Sequence, residues 1–362
     1  PEAYDENYLL RIARAGYTGF HIDPGFPLFY RSALLPELDH PRADENLELL
    51  RQVVARARRA SLQVFLTPYV QTLPADHPLF RRRPELRGSE IVASPGMHIP
   101  CTGRELVRRF YAEQAVRLFQ AIPDLGGLFL ITGCEGMLHC YTAPASRPAS
   151  QTDCPCCRRK DPEQTVARLV NGMATAVKRA APRARVVVWP YHASTWTAAP
   201  DATRHVSLLS PPCSFMGNFD TDEPIEREGV RAMTPDYNLS VVGPSGVFLR
   251  QARVAARRGL PVLAKVESGC PRDMHAIPSI PANTRWARKY GRMLENGVTG
   301  AMFAWQFCSF TGSLSEELAG WMSWAPCPPA ATLLRRLAAR DFGAPHADAV
   351  VRAWRDFDRA ME

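Results

Sequence analysis

The run LGGLFLITGCEGMLHC, residues 125 to 140, carries an apolar stretch straight into Cys134-Glu135 and then into the pair His139-Cys140. A carboxylate at the end of an apolar strand is partly desolvated, which raises its pKa towards the range a general acid needs. A second run, LPVLAKVES at 260–268, ends in the same way with Glu267, and Asp273 follows in the same loop. Two carboxylates on separate strands are the equipment for cleaving a glycosidic bond: one protonates the leaving oxygen while the other attacks the anomeric carbon or activates water. Glu135 is therefore the expected acid/base, and Glu267 and Asp273 compete for the second role. Lys265 points to the same side of its strand as Glu267, so an ion pair is the structural alternative for Glu267. A helix cap or an Arg partner is the alternative for Glu135.

Other strand-like runs end in groups suited to holding a sugar. These are Asp23 with His21, Tyr69 with Gln71, Trp189 with Tyr191 and His192, Ser210, and Trp305 with Gln306. Asp23, Tyr69, Gln71, Trp189, Tyr191, His192, Trp305 and Gln306 are the expected substrate contacts, with core packing as the alternative for the aromatic ones.

The stretch HCYTAPASRPASQTDCPCC, 139–157, suits a metal. Cys154 and Cys157 form a C-x-x-C, the spacing with which two thiolates grip one Zn²⁺, and His139 and Cys140 are the expected further ligands of one structural zinc. A disulfide or free thiols are the rival readings, and Cys156 is left over. A thioredoxin-like role is disfavoured because the motif follows a loop and not a strand. Cys134 as a nucleophile, with His139 or His192 as base, is a further reading. No motif for an organic cofactor is present: there is neither a G-x-G-x-x-G between strand and helix nor a G-x-x-x-x-G-K-[ST]. A catalytic zinc lacks an H-x-H or H-E-x-x-H.

Positioning these groups requires strands that share one direction. The β-branched runs 17–23, 62–70, 125–133, 184–191, 205–210, 237–243, 260–268 and 299–307 alternate with amphipathic stretches such as NLELLRQVVARARRA and PEQTVARLVNGMATAVKRAA. That alternation indicates an α/β chain folded as a (β/α)8 TIM-type barrel, whose βα loops converge at the C-terminal strand ends. PEAYDENYLLRIARAG reads as the first barrel helix, with its strand upstream, and 237–243 as an edge hairpin. The expected organisation is a catalytic barrel over 1–325 with a Cys-rich loop at 139–160, and a helical extension over 326–362 packed on the barrel or on a second copy of the chain.

Composition sets outer limits. The chain has 362 residues, 46% hydrophobic and 22% charged, which is ordinary for a globular protein with a core. Its net charge of +8 is spread along helices such as RQVVARARRA, so nucleic acid is not an expected partner. No apolar run reaches the roughly 20 residues that cross a bilayer, and no membrane partner is expected. Isolated cysteines in apolar surroundings favour a reducing, cytoplasmic setting.

The residues FHIDPG, ENLELLRQVVARARRASLQVFLTPYV, CTGRELVRRFYAEQAVRLFQAIPDLGGLFLITGCEG and RVVVWPY follow one another in an order and spacing that resembles the catalytic barrel of family 20 glycoside hydrolases, the β-N-acetylhexosaminidases, over residues 8 to 192. The chain also looks like a group of uncharacterised bacterial barrel proteins. In family 20 the fourth strand ends in Asp-Glu, where the Glu is the general acid and the Asp orients the substrate's acetamido group as internal nucleophile. The resemblance implies that Glu135 is the acid. It places Cys134 where the Asp stands, and a thiol does not stabilise an oxazolinium charge as a carboxylate does. A carbohydrate-binding barrel without catalysis is the rival function.

Overall fold

A computed structural model describes residues 4–24, 26–69, 71–91, 94–133, 138–141, 152–268, 280–303 and 312–361. The chain begins with α1 (Glu6–Arg14), which starts on Glu6 and ends on Arg11 and Arg14, matching the helix dipole. Then come β1 (Gly19–Ile22), α2 (Ala43–Arg59) and β2 (Gln63–Leu66). In α2 the buried residues Leu50, Val53, Val54 and Ala57 recur at helical spacing, and Asp44 and Glu45 open it while Arg56, Arg58 and Arg59 close it.

A small antiparallel sheet follows, built of β3 (Leu73–Pro74), β4 (Arg87–Ile91) and β5 (Ser94–Pro100) in the order β3-β5-β4, with α3 (Pro78–Arg82) between β3 and β4. Next are α4 (Glu105–Ala121), β6 (Gly127–Ile131), α5 (Pro162–Ala180), β7 (Arg185–Trp189), α6 (Thr203–Ser207) and β8 (Cys213–Asn218). Asp161 caps α5 by accepting from the Gln164 N–H, and Pro162 fills the first turn, where its missing N–H costs nothing. The remainder comprises β9 (Pro224–Arg227), β10 (Val230–Met233), α7 (Gly246–Arg257), β11 (Val262–Lys265), α8 (Asn283–Glu295), β12 (Gly300–Met302), α9 (Leu314–Met322), α10 (Ala330–Phe342) and α11 (Ala347–Ala360).

Seven strands form one sheet in the order β1-β2-β6-β7-β8-β11-β12. The paired registers run parallel, from Ile22 beside Leu66 to Ile131 beside Trp189 and Lys265 beside Met302. All of β6 and four of the five residues of β7 are buried, as strands covered on both faces must be. Parallel strands in chain order with helices between them make this a TIM-type (β/α) barrel, with seven of its strands among the described residues.

Two expected strands are placed elsewhere. HVSLLS at 205–210 lies partly in α6, because its buried residues His205, Val206 and Leu209 follow helical and not alternating spacing. The fifth strand of the seven-stranded sheet is β8, just past Pro211-Pro212. The segment 237–243 is not a strand: Tyr237 takes a left-handed φ of 57°, and the carbonyls of Leu239 and Ser240 accept from the Arg285 guanidinium instead of a neighbouring strand. The antiparallel hairpin of this region is β9–β10, turned on Glu228 and Gly229, both at positive φ.

The chain divides into two compact units. One comprises Pro1–Leu9, Thr18–Phe215 and Arg253–Pro261, and the other Leu10–Tyr17, Met216–Ala252 and Val262–Glu362. In the second, α8 is tied to α11 by Arg285, which donates to the Asp358 carboxylate at 2.8 Å.

Candidate functional site

In the first unit, the end of β1 presents His21, whose Nδ1 lies 3.3 Å from Asp23 Oδ1 and 3.3 Å from Thr67 Oγ1. Tyr69 is held by its N–H donating to the Pro24 carbonyl. The Oε1 of Gln71 is buried and accepts no hydrogen bond among the described residues. At the end of β7, Trp189 is fully buried with its ring 4.8 Å from that of Tyr191, which in turn lies 4.2 Å from the ring of His192. Trp189 thus offers no face to a ligand in this structure, whereas His192 is half-buried at a left-handed φ of 50°. The ends of β6 and β7 touch at Gly133: a Cβ there would lie 1.3 Å from the Tyr191 carbonyl oxygen, so only glycine fits before Cys134. Cys134, Glu135, Asp273, Trp305 and Gln306 lie outside the described residues.

His139 has both ring nitrogens committed. Nδ1 accepts from the Tyr141 N–H at 3.2 Å, so Nε2 carries the proton and donates to the Thr132 carbonyl at 2.7 Å. Burial pushes its pKa down to about 4, and burial together with the neighbouring His139 pushes His205 down to about 3. His205 stands beside Thr132 Oγ1 at 3.4 Å, and the ring of Trp196 lies edge-on to both imidazoles. These are neutral core histidines. His139 is neither a metal ligand nor a free base for a thiol.

The sulfur cluster accordingly has a different fourth member. Cys101, Cys140, Cys154 and Cys157 are all buried, and their sulfurs lie within 4.8 Å of one another, a group able to hold a metal ion such as zinc. Cys101 replaces the expected His139. Nothing in its local sequence marks it, since it stands alone at the end of β5 and joins the others only through the fold.

The second unit holds buried charge. Asp220 just past β8, Asp236, Lys265 and Glu267 at the end of β11, and Lys289 on α8 are all buried. Lys265 lies 3.6 Å from Glu267 Oε2, donates to the Val266 carbonyl at 2.7 Å and sits 4.2 Å from the centre of the Tyr237 ring. The expected ion pair of Lys265 with Glu267 is thus formed, and the same residues retain their place at a strand end. Lys289 binds the Asp220 carboxylate and donates to the Asn238 carbonyl at 2.7 Å. Asn218 donates to Asp236 at 2.9 Å. Burial pushes the Asp220 carboxyl up, opposed by Lys289 and Lys265, and pushes the Lys265 ammonium down, opposed by Glu267 and Asp220.

Asp220, Asp236 and Lys289 are the site-like residues that the sequence reading passes over. Misplacing the fifth strand hid Asp220. Lys289 had a signal, for it occupies the i+3 position of the apolar stripe Trp286, Tyr290, Met293, where a lysine is buried unless it bends away.

A hollow of about 660 Å³, lined among others by Arg58, Gln63, Asp124 and Arg183, opens at the N-terminal ends of β2, β6 and β7. That end of a barrel serves stability and not catalysis, and Arg58 pairs with Asp124 across it at 2.7 Å.

No family model matches the sequence, and no curated protein matches it. The family 20 resemblance therefore finds no support at sequence level. Solved structures do share the fold. A GH138 enzyme targeting pectin rhamnogalacturonan II aligns with 99% of this chain at TM-score 0.60 and 10% identity. The alignment spans 40% of that longer protein. A Bacteroidetes-affiliated GH5 cellulase linked with a polysaccharide utilization locus aligns with 90% of this chain and 85% of its own length at TM-score 0.52 and 14% identity. Identities this low speak for the fold and not for the reaction.

Proposed function

We propose that this chain is the barrel of a glycoside hydrolase that cleaves a glycosidic bond by carboxylate acid/base catalysis. The observation that carries the reading is Glu267, a buried carboxylate at the end of β11 with the Lys265 ammonium 3.6 Å away, in a TIM-type fold shared with glycoside hydrolases. A carboxylate is buried at such a position at considerable cost, which Lys265 offsets, and strand ends are where barrels place their chemistry. Glu135 is the general acid/base: the strand that leads to it, β6, is buried along its whole length, and an apolar approach favours the protonated form of a carboxyl. Glu267 is the second carboxylate, with Asp273 as its competitor.

The family 20 resemblance bears on the substrate through Cys134. With no carboxylate to orient an acetamido group, cleavage does not depend on assistance from the sugar, and glycosides lacking a 2-acetamido group are turned over as well. The pectic and cellulosic materials named for the two similar structures make plant cell-wall carbohydrates the first class to try.

A second reading, a sugar-binding barrel without turnover, is favoured by the same ion pair if Lys265 holds Glu267 in a purely structural role. A hydrolysis screen separates the two. Aryl glycosides with and without the 2-acetamido group, and cell-wall oligosaccharides, are offered to the wild type, Glu135→Gln and Glu267→Gln. Turnover by the wild type that either substitution abolishes supports the enzyme. Binding without turnover, unchanged in Glu135→Gln, supports the second reading.

A further inference from the structure

We propose that Cys101, Cys140, Cys154 and Cys157 bind one zinc ion as a closed tetrathiolate site that fastens the segment following β6 to the small sheet of β3, β4 and β5. The inference is independent of the glycosidase reading. Its ground is the arrangement of four sulfurs brought from three separate stretches of chain. Cys101 follows β5 and is fixed by its N–H donating to the Leu86 carbonyl. Cys140 follows His139, whose two hydrogen bonds orient that turn. Cys154 and Cys157 lie on one tight turn, closed by the Arg158 N–H donating to the Cys154 carbonyl, and the Tyr141 hydroxyl donates to the Cys157 carbonyl.

The spacing fits a tetrahedral ion. Zn–S bonds of about 2.3 Å set tetrahedral sulfurs roughly 3.8 Å apart. Cys154 lies 3.5 Å from Cys101, Cys101 lies 3.6 Å from Cys157, and no pair in the group exceeds 4.8 Å. A disulfide needs about 2.05 Å, and all four cysteines are free. Two glycines make room for the sulfurs: a Cβ on Gly103 would come within 2.6 Å of Cys157 Sγ, and one on Gly88 within 2.8 Å of Cys140 Sγ. Cys156 is half-buried and outside the group.

The surroundings suit the charge. Four thiolates around Zn²⁺ carry a net charge of −2, and Arg104 and Lys160 both act on the neighbouring Cys156 as nearby cations. The Lys160 ammonium is anchored beside the cluster on the Gly103 carbonyl at 2.6 Å. Each thiol releases its proton to solvent as its Zn–S bond forms. With all four positions taken by protein, no site remains for water or substrate, so the ion is structural. The expected companions of the C-x-x-C are His139 and Cys140, and of these Cys140 is in the group. Cys101, directly after β5, takes the place of His139 in the group.

The test uses the whole chain purified without chelators. Elemental analysis is expected to find one zinc per chain, and zinc-edge X-ray absorption to find four sulfurs at about 2.3 Å and no nitrogen. Cys101→Ser is expected to lose the ion or hold it far more weakly, while Cys156→Ser keeps it. Should Cys101→Ser fail to fold, the wild-type absorption spectrum still decides. A shell of three sulfurs and one nitrogen, iron in place of zinc, or thiols that remain metal-free or pair as disulfides in zinc-supplemented preparations would each overturn the assignment.

Discussion

Lys289 and Asp220 show how much one buried side chain can carry in this protein. Lys289 is fully buried and is a principal counter-charge of Asp220, so Lys289→Met leaves a carboxylate in the core with its compensation largely removed. Breaking a buried pair from one side typically costs about 3–5 kcal/mol, and urea denaturation of Lys289→Met is expected to show a loss of that order. Adding Asp220→Asn to it should return much of the stability, since replacing both members removes the stranded charge. The buried imidazoles set the acid side of the stability curve. His139 and His205 are held neutral in the fold, with pKa values depressed from 6.5 to about 4 and about 3. Their contribution is present in full above pH 6.5 and is lost as the pH falls through about 4 and then 3, because the unfolded chain takes up the protons first. Unfolding midpoints measured from pH 7.5 down to 4 are therefore expected to fall, and His205→Asn is expected to flatten that fall. A midpoint independent of pH over this range would contradict the assignment of both histidines as neutral.

Elements are where reading the sequence succeeds most and where its failures are instructive. β1, β2, β6, β7, β11 and β12 fall inside expected runs; of these β6, β7 and β11 are buried almost throughout, and a strand covered on both faces reads as a continuous apolar stretch. β8 did not stand out, since CSFMGN contains no β-branched residue and follows two prolines, while the apolar residues at 205–210 imitated a strand. The irregular course of 237–243 depends on Arg285, which is far away in sequence. Cys101 and Lys289 likewise gain their partners only through tertiary contact, so local pattern could point to a C-x-x-C but not to Cys101 as a member of its cluster. Gly133, where the ends of β6 and β7 touch, is open to a test by substitution. Gly133→Ala places a methyl on the Tyr191 carbonyl, a clash with backbone that no rotamer relieves. The loss of stability is expected to exceed the ~1–3 kcal/mol usual for overpacking, read from the thermal unfolding of the variant against Gly172→Ala, whose Cβ meets nothing within 4 Å.

For the whole molecule, the net charge is +8, and many of the arginines sit in local pairs, among them Arg42 with Glu45, Arg58 with Asp124 and Arg335 with Asp348. No helix among the described residues is long and apolar enough to cross a membrane. With charges interspersed and paired in this way, duplex DNA is expected to show no gel retardation by the protein at about 0.15 M salt. What remains is a barrel with polar and charged groups at its strand ends. The role proposed for Glu135 is to protonate a departing sugar oxygen, a role that leaving-group dependence reads out. The rates of wild type and Glu135→Gln are compared on aryl glycosides whose leaving groups need much acid assistance or almost none. Glu135→Gln is predicted to lose roughly 10²–10⁴-fold on the poor leaving group and to keep near wild-type first-turnover release of dinitrophenolate from the dinitrophenyl glycoside. An equal loss on both, or no turnover of either by the wild type, would contradict the role of Glu135 as the acid.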